Sequence, residues 1–124
     1  MSPKILVADD EPNIVISLEY LLKREGYTVV IARDGQEAVE AIVREQPDLV
    51  LLDVMMPKKT GFEVCQEIRA NDALQGIKIL MLTAKGRDTD VAKGMALGAD
   101  AYMTKPFATR ELVQKVAEML GRPA

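Results

Sequence analysis

The chain has 124 residues, of which 48% are hydrophobic and 28% charged, which is enough for one domain with its own core. Sixteen basic and nineteen acidic side chains give a net charge of −3, so non-specific binding to nucleic acid or to an acidic membrane is not expected. With no histidine and one cysteine, the sequence excludes a Ser-His-Asp triad, histidine metal ligands, an intrachain disulfide and a CxxC site.

The first half of the chain predicts three strands and two helices. A strand over residues 5–8 precedes a helix that begins near Pro12 and ends at Gly26. A strand over residues 29–32 precedes the second helix. The third strand, residues 49–52, is apolar at consecutive positions, which is typical of a strand covered on both faces.

The second half continues the alternation. A third helix surrounds Cys65, which is expected to pack as a small core residue, and a fourth strand covers residues 79–82. The fourth helix is marked by Val91, Ala92, Met95 and Ala96. A fifth strand over residues 101–103 precedes the last helix, which Thr109 is expected to cap.

Five strand–helix units predict an α/β fold, a doubly wound, mostly parallel five-stranded sheet flanked by five helices. We expect residues 1–124 to form a single domain with a core from about residue 4 to residue 120. Neither a targeting signal nor an apolar run long enough to span a bilayer is found. A cytoplasmic protein, a monomer or a weak dimer, is expected. The residues after Leu120 fit a linker to a further domain as well as a natural end.

Polar groups follow four of the five predicted strands. They are Asp9 and Asp10, then Asp53, then Thr83 with Ala84, and finally Lys105. In open α/β sheets, ligands bind at the carboxyl ends of the strands, so these groups are expected to converge at one edge. Taken singly, each has an ordinary interpretation as a turn residue, a helix-terminal acid or a surface lysine.

The charges of this set favour a hard cation. Asp9, Asp10 and Asp53 total −3, and Lys105 supplies only +1. A divalent cation would neutralise the pocket. Oxygen ligands without cysteine or histidine select Mg²⁺, Mn²⁺ or Ca²⁺ over zinc, and the small number of protein ligands favours Mg²⁺.

Five motifs in this order and at these spacings resemble one known family. They are Asp9-Asp10-Glu11-Pro12 after an apolar run, Asp53-Val54-Met55-Met56-Pro57 with Gly61, Thr83-Ala84, Gly98-Ala99-Asp100-Ala101-Tyr102, and Lys105-Pro106-Phe107. From about Lys4 to Leu120 the chain resembles the CheY-like receiver domain of bacterial response regulators, the phosphorylated partners in two-component signalling. The resemblance implies a flavodoxin-like sheet of order 2-1-3-4-5.

The resemblance also implies a role for each acid. Asp53 would be the phosphoacceptor. Asp10 and Asp53 would ligate Mg²⁺ directly, with Mn²⁺ as a possible substitute, and Asp9 would act mainly through a metal-bound water. The backbone carbonyl of Met55 would be a further ligand.

The remaining motif residues would bind the phosphoryl group and report its presence. Lys105, the Thr83 hydroxyl and the Ala84 N–H would contact its oxygens, and the bond before Pro106 is expected to be cis. Thr83 and Tyr102 would act as the switch that alters the surface of helix 4, strand 5 and helix 5. Lys85, two residues after Thr83, is expected near the entrance for the phosphoryl group.

The partners follow from the same resemblance. The phosphoryl donor would be a phosphohistidine on a histidine kinase or a histidine phosphotransfer protein. The output partner would be a protein of unknown identity, without direct contact to nucleic acid or membrane by this domain. The domain would promote its own phosphorylation and dephosphorylation without being a conventional turnover enzyme.

Three other functions share features with this sequence. A phosphatase of the haloacid-dehalogenase type needs a second Asp two positions after the nucleophile, where this chain has Met55. A flavin-binding flavodoxin needs a Ser/Thr/Gly-rich loop after the first strand, where this chain is acidic. A receiver-like interaction module working without phosphorylation is the remaining alternative, although such modules usually lack an acid, the Thr or the Lys. Tyr102 would then be an ordinary half-buried strand residue.

Overall fold

Strands and helices alternate along the described chain. The computed structural model describes residues 2–84 and 87–122, so Lys85 lies outside the described residues. The strands are β1 (Lys4–Ala8), β2 (Thr28–Ala32), β3 (Leu49–Asp53), β4 (Lys78–Ala84) and β5 (Ala101–Lys105). The helices are α1 (Pro12–Arg24), α2 (Gly35–Glu45), α3 (Gly61–Ala70), α4 (Asp88–Ala96) and α5 (Thr109–Met119). A short 3-10 helix, Asp72–Leu74, follows α3.

The five strands form one parallel sheet in the order β2-β1-β3-β4-β5. The predicted fold, including the strand order implied by the resemblance, is confirmed. Every residue of the central strand β3 is buried, which agrees with its uninterrupted apolar sequence. Since the strands are parallel, their carboxyl ends all lie at one edge of the sheet.

The sheet separates two apolar layers. Alternate strand residues such as Leu6 and Val50 pack with α2 and α3, whereas Ile5 and Leu51 face α1 and α5. All four side chains are fully buried. Burying a leucine or isoleucine side chain contributes about 1.5–3 kcal/mol, so these layers are the main source of stability. Cys65 is buried within the first layer, as predicted.

Some helix ends follow local sequence signals, and others, such as the start of α5, do not. Asp34 caps α2 by accepting a hydrogen bond from the Glu37 N–H at 2.8 Å. Gly26, just beyond α1, has φ +92°, a left-handed conformation that glycine adopts without strain. The prediction for Thr109 is wrong. The capping position of α5 belongs to Ala108, which has no side-chain acceptor, and Thr109 is already the first helical residue.

The apolar residues that mark helix α4 in the sequence are not the ones that it buries. Of its nine residues only Gly94 is buried, and Met95 remains 42% exposed. Gly94 lies so near the Met81 side chain that an added Cβ would stand 3.4 Å from Met81 Cγ. The helix therefore approaches the sheet through its smallest residue, which a search for apolar side chains overlooks. Much of its surface stays open to solvent.

Two further features bear on the interpretation of the chain. The Lys105–Pro106 peptide bond is cis, as expected. In residues 2–84 and 87–122, no helix is both long and apolar enough to cross a membrane.

Candidate functional site

Three carboxylates meet at the carboxyl edge of the sheet. One ligand oxygen each from Asp9, Asp10 and Asp53 lies within 4.8 Å of the other two. Asp53 is the last residue of β3 and is 8% exposed, and Asp9, directly after β1, is fully buried. Asp10 is exposed. The cluster therefore has two buried members and one that opens to solvent.

Lys105 bridges two of these acids. Its Nζ donates hydrogen bonds to Asp9 Oδ2 at 2.8 Å and to Asp53 Oδ1 at 3.2 Å. The lysine ends β5, and the register of the sheet sets it opposite Ala84 at the end of β4. The Lys105 ammonium reaches the buried carboxylates because β5 continues two residues past Met103, which lies level with Asp53 across the sheet.

The environment of Asp53 disfavours its charged form. Burial raises the pKa of Asp53 to about 6, and repulsion from the Asp9 carboxylate adds to that rise. The Lys105 ammonium opposes both effects. Burial alone would lower the pKa of Lys105, but its hydrogen bond to Asp9 and the Asp53 charge outweigh this and raise it. Lys105 therefore stays positively charged, and it pairs with Asp53, whose charge is disfavoured by the neighbouring Asp9.

Thr83 and Ala84 lie at the same edge, at the end of β4. Thr83 is buried and its hydroxyl is 3.5 Å from the Met103 carbonyl oxygen, a long contact that holds the hydroxyl weakly. Ala84 is exposed. The β3–β4 register pairs Asp53 with Leu82, one residue before Thr83. Thr83 and Ala84 therefore extend just past the strand end that carries Asp53.

Two predicted site residues, Tyr102 and Met55, have exposed side chains. Tyr102 on β5 is 46% exposed, and its strand position is opposite Met81. The Met55 side chain is 66% exposed, two residues after Asp53. The structure gives no hydrogen bond between either side chain and the carboxylate cluster.

The loop from β3 to α3 supports Asp53 by close backbone packing. The Gly61 N–H donates to the Val54 carbonyl at 2.8 Å, and a Cβ at Gly61 would overlap the Asp53 carbonyl oxygen. Thr60 and Glu63 fix the start of α3 with a capping box, each side chain bonding the other's backbone N–H. The absence of a side chain at Gly61 lets the helix begin directly against the end of β3.

Sequence reasoning assigned no role to Glu11, which also reaches Lys105. Its Oε1 lies 3.5 Å from Lys105 Nζ, and its backbone N–H donates to Asp9 Oδ1 at 2.9 Å. Glu11 occupies the capping position of α1, yet its side chain caps nothing. The only signal in the sequence was a third acid after the Asp9-Asp10 pair.

The donor set fits a hard divalent cation. All its candidate ligands are carboxylate oxygens, and the formal charge of three acids and one lysine is −2. A phosphoryl group, which is also anionic, could approach these acids only if such a cation offset their charge.

Comparison with known proteins decides the family. The model for the response regulator receiver domain matches residues 5–117. The chain belongs to the response-regulator receiver family. Receiver domains of this family act in two-component signalling through phosphorylation and interact with histidine kinases.

The relatives agree on fold and family. The chain is 50% identical over 122 residues to the alkaline phosphatase synthesis transcriptional regulatory protein PhoP of Bacillus subtilis (strain 168), covering 98% of this chain and 50% of that protein. It therefore spans half the length of that curated relative. A response regulator structure from Chloroflexus aurantiacus superposes with a TM-score of 0.93 at 34% identity, covering 98% of this chain and 100% of the other.

One structural neighbour bears on the metal. The receiver domain of a sensor histidine kinase from Pseudomonas aeruginosa, with a magnesium ion coordinated in its active-site cleft, superposes with a TM-score of 0.89. The identity is 30%, covering 98% of this chain and 99% of that one. Receiver domains bind Mg²⁺ in this acidic cleft, and the three clustered carboxylates of the present chain fit that property.

Proposed function

We propose that this receiver accepts a phosphoryl group on Asp53 and thereby switches a protein-binding surface. The observation that carries the proposal is the contact of Lys105 Nζ with Asp53 Oδ1, at 3.2 Å, beside two further carboxylates. A lone buried aspartate is a common turn residue. One held by a lysine within an acidic cluster has the groups that phosphoryl transfer requires.

Magnesium would be held by the acids that meet at the sheet edge. Asp10 and Asp53 would supply direct carboxylate ligands, the Met55 backbone carbonyl another, and Asp9 a contact through water. The ion would supply positive charge that offsets the acids and the incoming phosphoryl oxygens, and Mn²⁺ could replace it. The fit of the donor set supports this assignment.

In the proposed reaction an Asp53 carboxylate oxygen attacks the phosphorus of a phosphohistidine. A P–O bond forms, the P–N bond breaks, and the imidazole nitrogen leaves and takes up a proton from solvent. Lys105 would contact one phosphoryl oxygen, and the Thr83 hydroxyl and Ala84 N–H another. Hydrolysis would return the carboxylate and release inorganic phosphate, so the domain would take part in its own phosphorylation and dephosphorylation.

The same residues would report the modification. Phosphorylation adds about one further negative charge and three acceptor oxygens at Asp53. To move, the Thr83 hydroxyl would have to break only its long contact with the Met103 carbonyl oxygen. Tyr102 lies on the same strand as Lys105. We infer that Thr83 moves toward the phosphoryl group and that Tyr102 turns inward. These movements would alter the surface of α4, β5 and α5 for an output protein.

The donor would be a histidine kinase or a histidine phosphotransfer protein. This assignment rests on the family and on the absence of histidine from these 124 residues, which means that the phosphohistidine lies outside them.

The proposal is tested by incubating the chain with acetyl phosphate and Mg²⁺ and measuring its intact mass. We expect an adduct of one phosphoryl group that is absent in EDTA and in Asp53→Asn. Asp72→Asn, an exposed aspartate on the 3-10 helix, is the matched control and should keep the adduct. Tyr102→Ala should also keep it, since Tyr102 would act after the transfer. An adduct in Asp53→Asn would contradict the assignment of Asp53 as the phosphoacceptor, and no adduct in the wild type under any condition would favour a phosphorylation-independent interaction module.

A further inference from the structure

A groove unrelated to the acidic site runs between the end of α1 and α5. Its volume is about 580 Å³, within the range of small-molecule sites. Arg24, Arg110 and Arg122 line it, and we call it the arginine groove. None of its lining residues contributes to the carboxylate cluster or to Lys105.

The arginines of this groove lack the acidic partners that three of the other arginines have. Elsewhere, guanidinium nitrogens pair with carboxylates in Arg44–Glu45, Arg69–Asp100 and Arg87–Asp90. In residues 2–84 and 87–122, no carboxylate oxygen lies within 4.0 Å of a guanidinium nitrogen of the three groove arginines. Glu25 is the one acid in the lining, so the groove has a formal charge of +2 in a chain of net charge −3.

Two of the three guanidinium groups rest on aromatic rings. Arg24 Cζ lies 5.9 Å from the centre of the Tyr20 ring, and Arg122 Cζ lies 4.9 Å from that of Tyr27. A cation–π contact restrains a guanidinium group and leaves N–H groups free to donate. The contacts therefore reduce the entropy lost when an anion binds.

The groove also has an apolar part. Leu21 and Val113 line it together with Ala117, so a ligand would meet hydrocarbon as well as guanidinium groups. Arginine binds phosphate oxygens with paired hydrogen bonds, and apolar side chains accept the face of a planar ring. We propose that the arginine groove binds an organic phosphate of about mononucleotide size. The phosphates would contact the arginines and the ring would lie against the apolar part.

The test is an NMR titration of the ¹⁵N-labelled full chain with ADP in the presence of EDTA. Without a divalent cation, the three carboxylates of the acidic site repel phosphate, so binding there is suppressed. We expect saturable shifts of the amide signals of Tyr27, Val113 and Gln114, with a Kd of about 0.1–1 mM. Adenosine, which lacks phosphate, should cause much smaller shifts.

Arg110→Gln is the decisive variant, because Arg110 has no stacking or ion-pair contact whose loss would disturb the fold. Losing hydrogen bonds to a charged group should weaken ADP binding about tenfold. Arg44→Gln, an exposed arginine on α2, is the matched control and should bind as the wild type does. The proposal fails if ADP causes no groove shifts, or if Arg110→Gln and Arg44→Gln bind equally. It also fails if a glutamate-rich peptide occupies the groove and ADP does not.

Discussion

Asp53 combines opposing influences on a single carboxyl group. Burial and the neighbouring Asp9 disfavour its charge, whereas Lys105 at 3.2 Å favours it. The pKa of Asp53 lies at about 6 in the folded protein, against an ordinary value of 3.8. The folded protein thus binds a proton at Asp53 more tightly than the unfolded chain does. The charged form therefore costs stability, and this cost is fully present above pH 6 and disappears as the pH falls toward 3.8.

Replacing this carboxylate should stabilise the metal-free protein. In EDTA at neutral pH we expect Asp53→Asn to raise the free energy of unfolding by about 1–3 kcal/mol, because a neutral side chain removes the burial penalty and the repulsion from Asp9. The gain should vanish near about pH 4, where the wild-type carboxyl is itself protonated in the folded state. Urea unfolding at both pH values measures it.

Asp72→Asn is again the control, and its free energy of unfolding should follow that of the wild type at both pH values. A destabilised Asp53→Asn at neutral pH would mean that the ion pair with Lys105 outweighs the burial penalty.

At the residue scale, the sequence predicted which groups converge but not how they contact one another. The meeting of Asp9, Asp53 and Lys105 follows from parallel strands that end at one edge. Glu11 and Lys105 are 94 positions apart, and their contact depends on the path of α1 and on side-chain rotamers. The arginine groove was missed for the same reason, since its members come from separate elements.

At the element scale, glycines lie where α3 and α4 meet the sheet. Gly94 is the buried residue of α4 beside Met81, and the missing side chain of Gly61 lets α3 begin against the end of β3. Apolar periodicity predicted that both helices exist. The apolar residues that marked α4 are not buried, because the buried position of this helix is Gly94, which has no side chain.

Gly61→Ala should therefore disturb the end of β3 and Asp53 with it. The added methyl would overlap the Asp53 carbonyl, so we expect a loss of about 1–3 kcal/mol in the free energy of unfolding. Urea unfolding measures the loss. Gly76→Ala is the matched control, since a Cβ there has no heavy atom within 4 Å and should change stability little. Equal stabilities of the two variants would contradict the close approach at Gly61.

At the scale of the whole molecule, the acidic site couples metal binding to global stability. The clustered acids repel one another in the folded state and separate on unfolding. A cation that binds only the folded protein, at ten times its Kd, would stabilise it by about 1.4 kcal/mol.

Mg²⁺ should therefore raise the unfolding temperature by about 5 °C, and EDTA should reverse the rise. Differential scanning calorimetry measures it. Asp10→Asn should reduce the effect, because it removes a proposed ligand, whereas Asp72→Asn should retain it. The same rise in Asp10→Asn as in the wild type would contradict the assignment of Asp10.

Asp9, Asp53 and Thr83 are the buried polar and charged residues of the described chain, and all three belong to the candidate site. The free-energy cost of burying polar groups is thus confined to residues proposed for function, and the two apolar layers do not add to it. Over evolution, a descendant released from selection for phosphoryl transfer could gain stability by replacing these residues. Substitutions that abolish phosphoryl transfer would then also increase folding stability. Sequences of this kind would stay active only under continued selection for the chemistry.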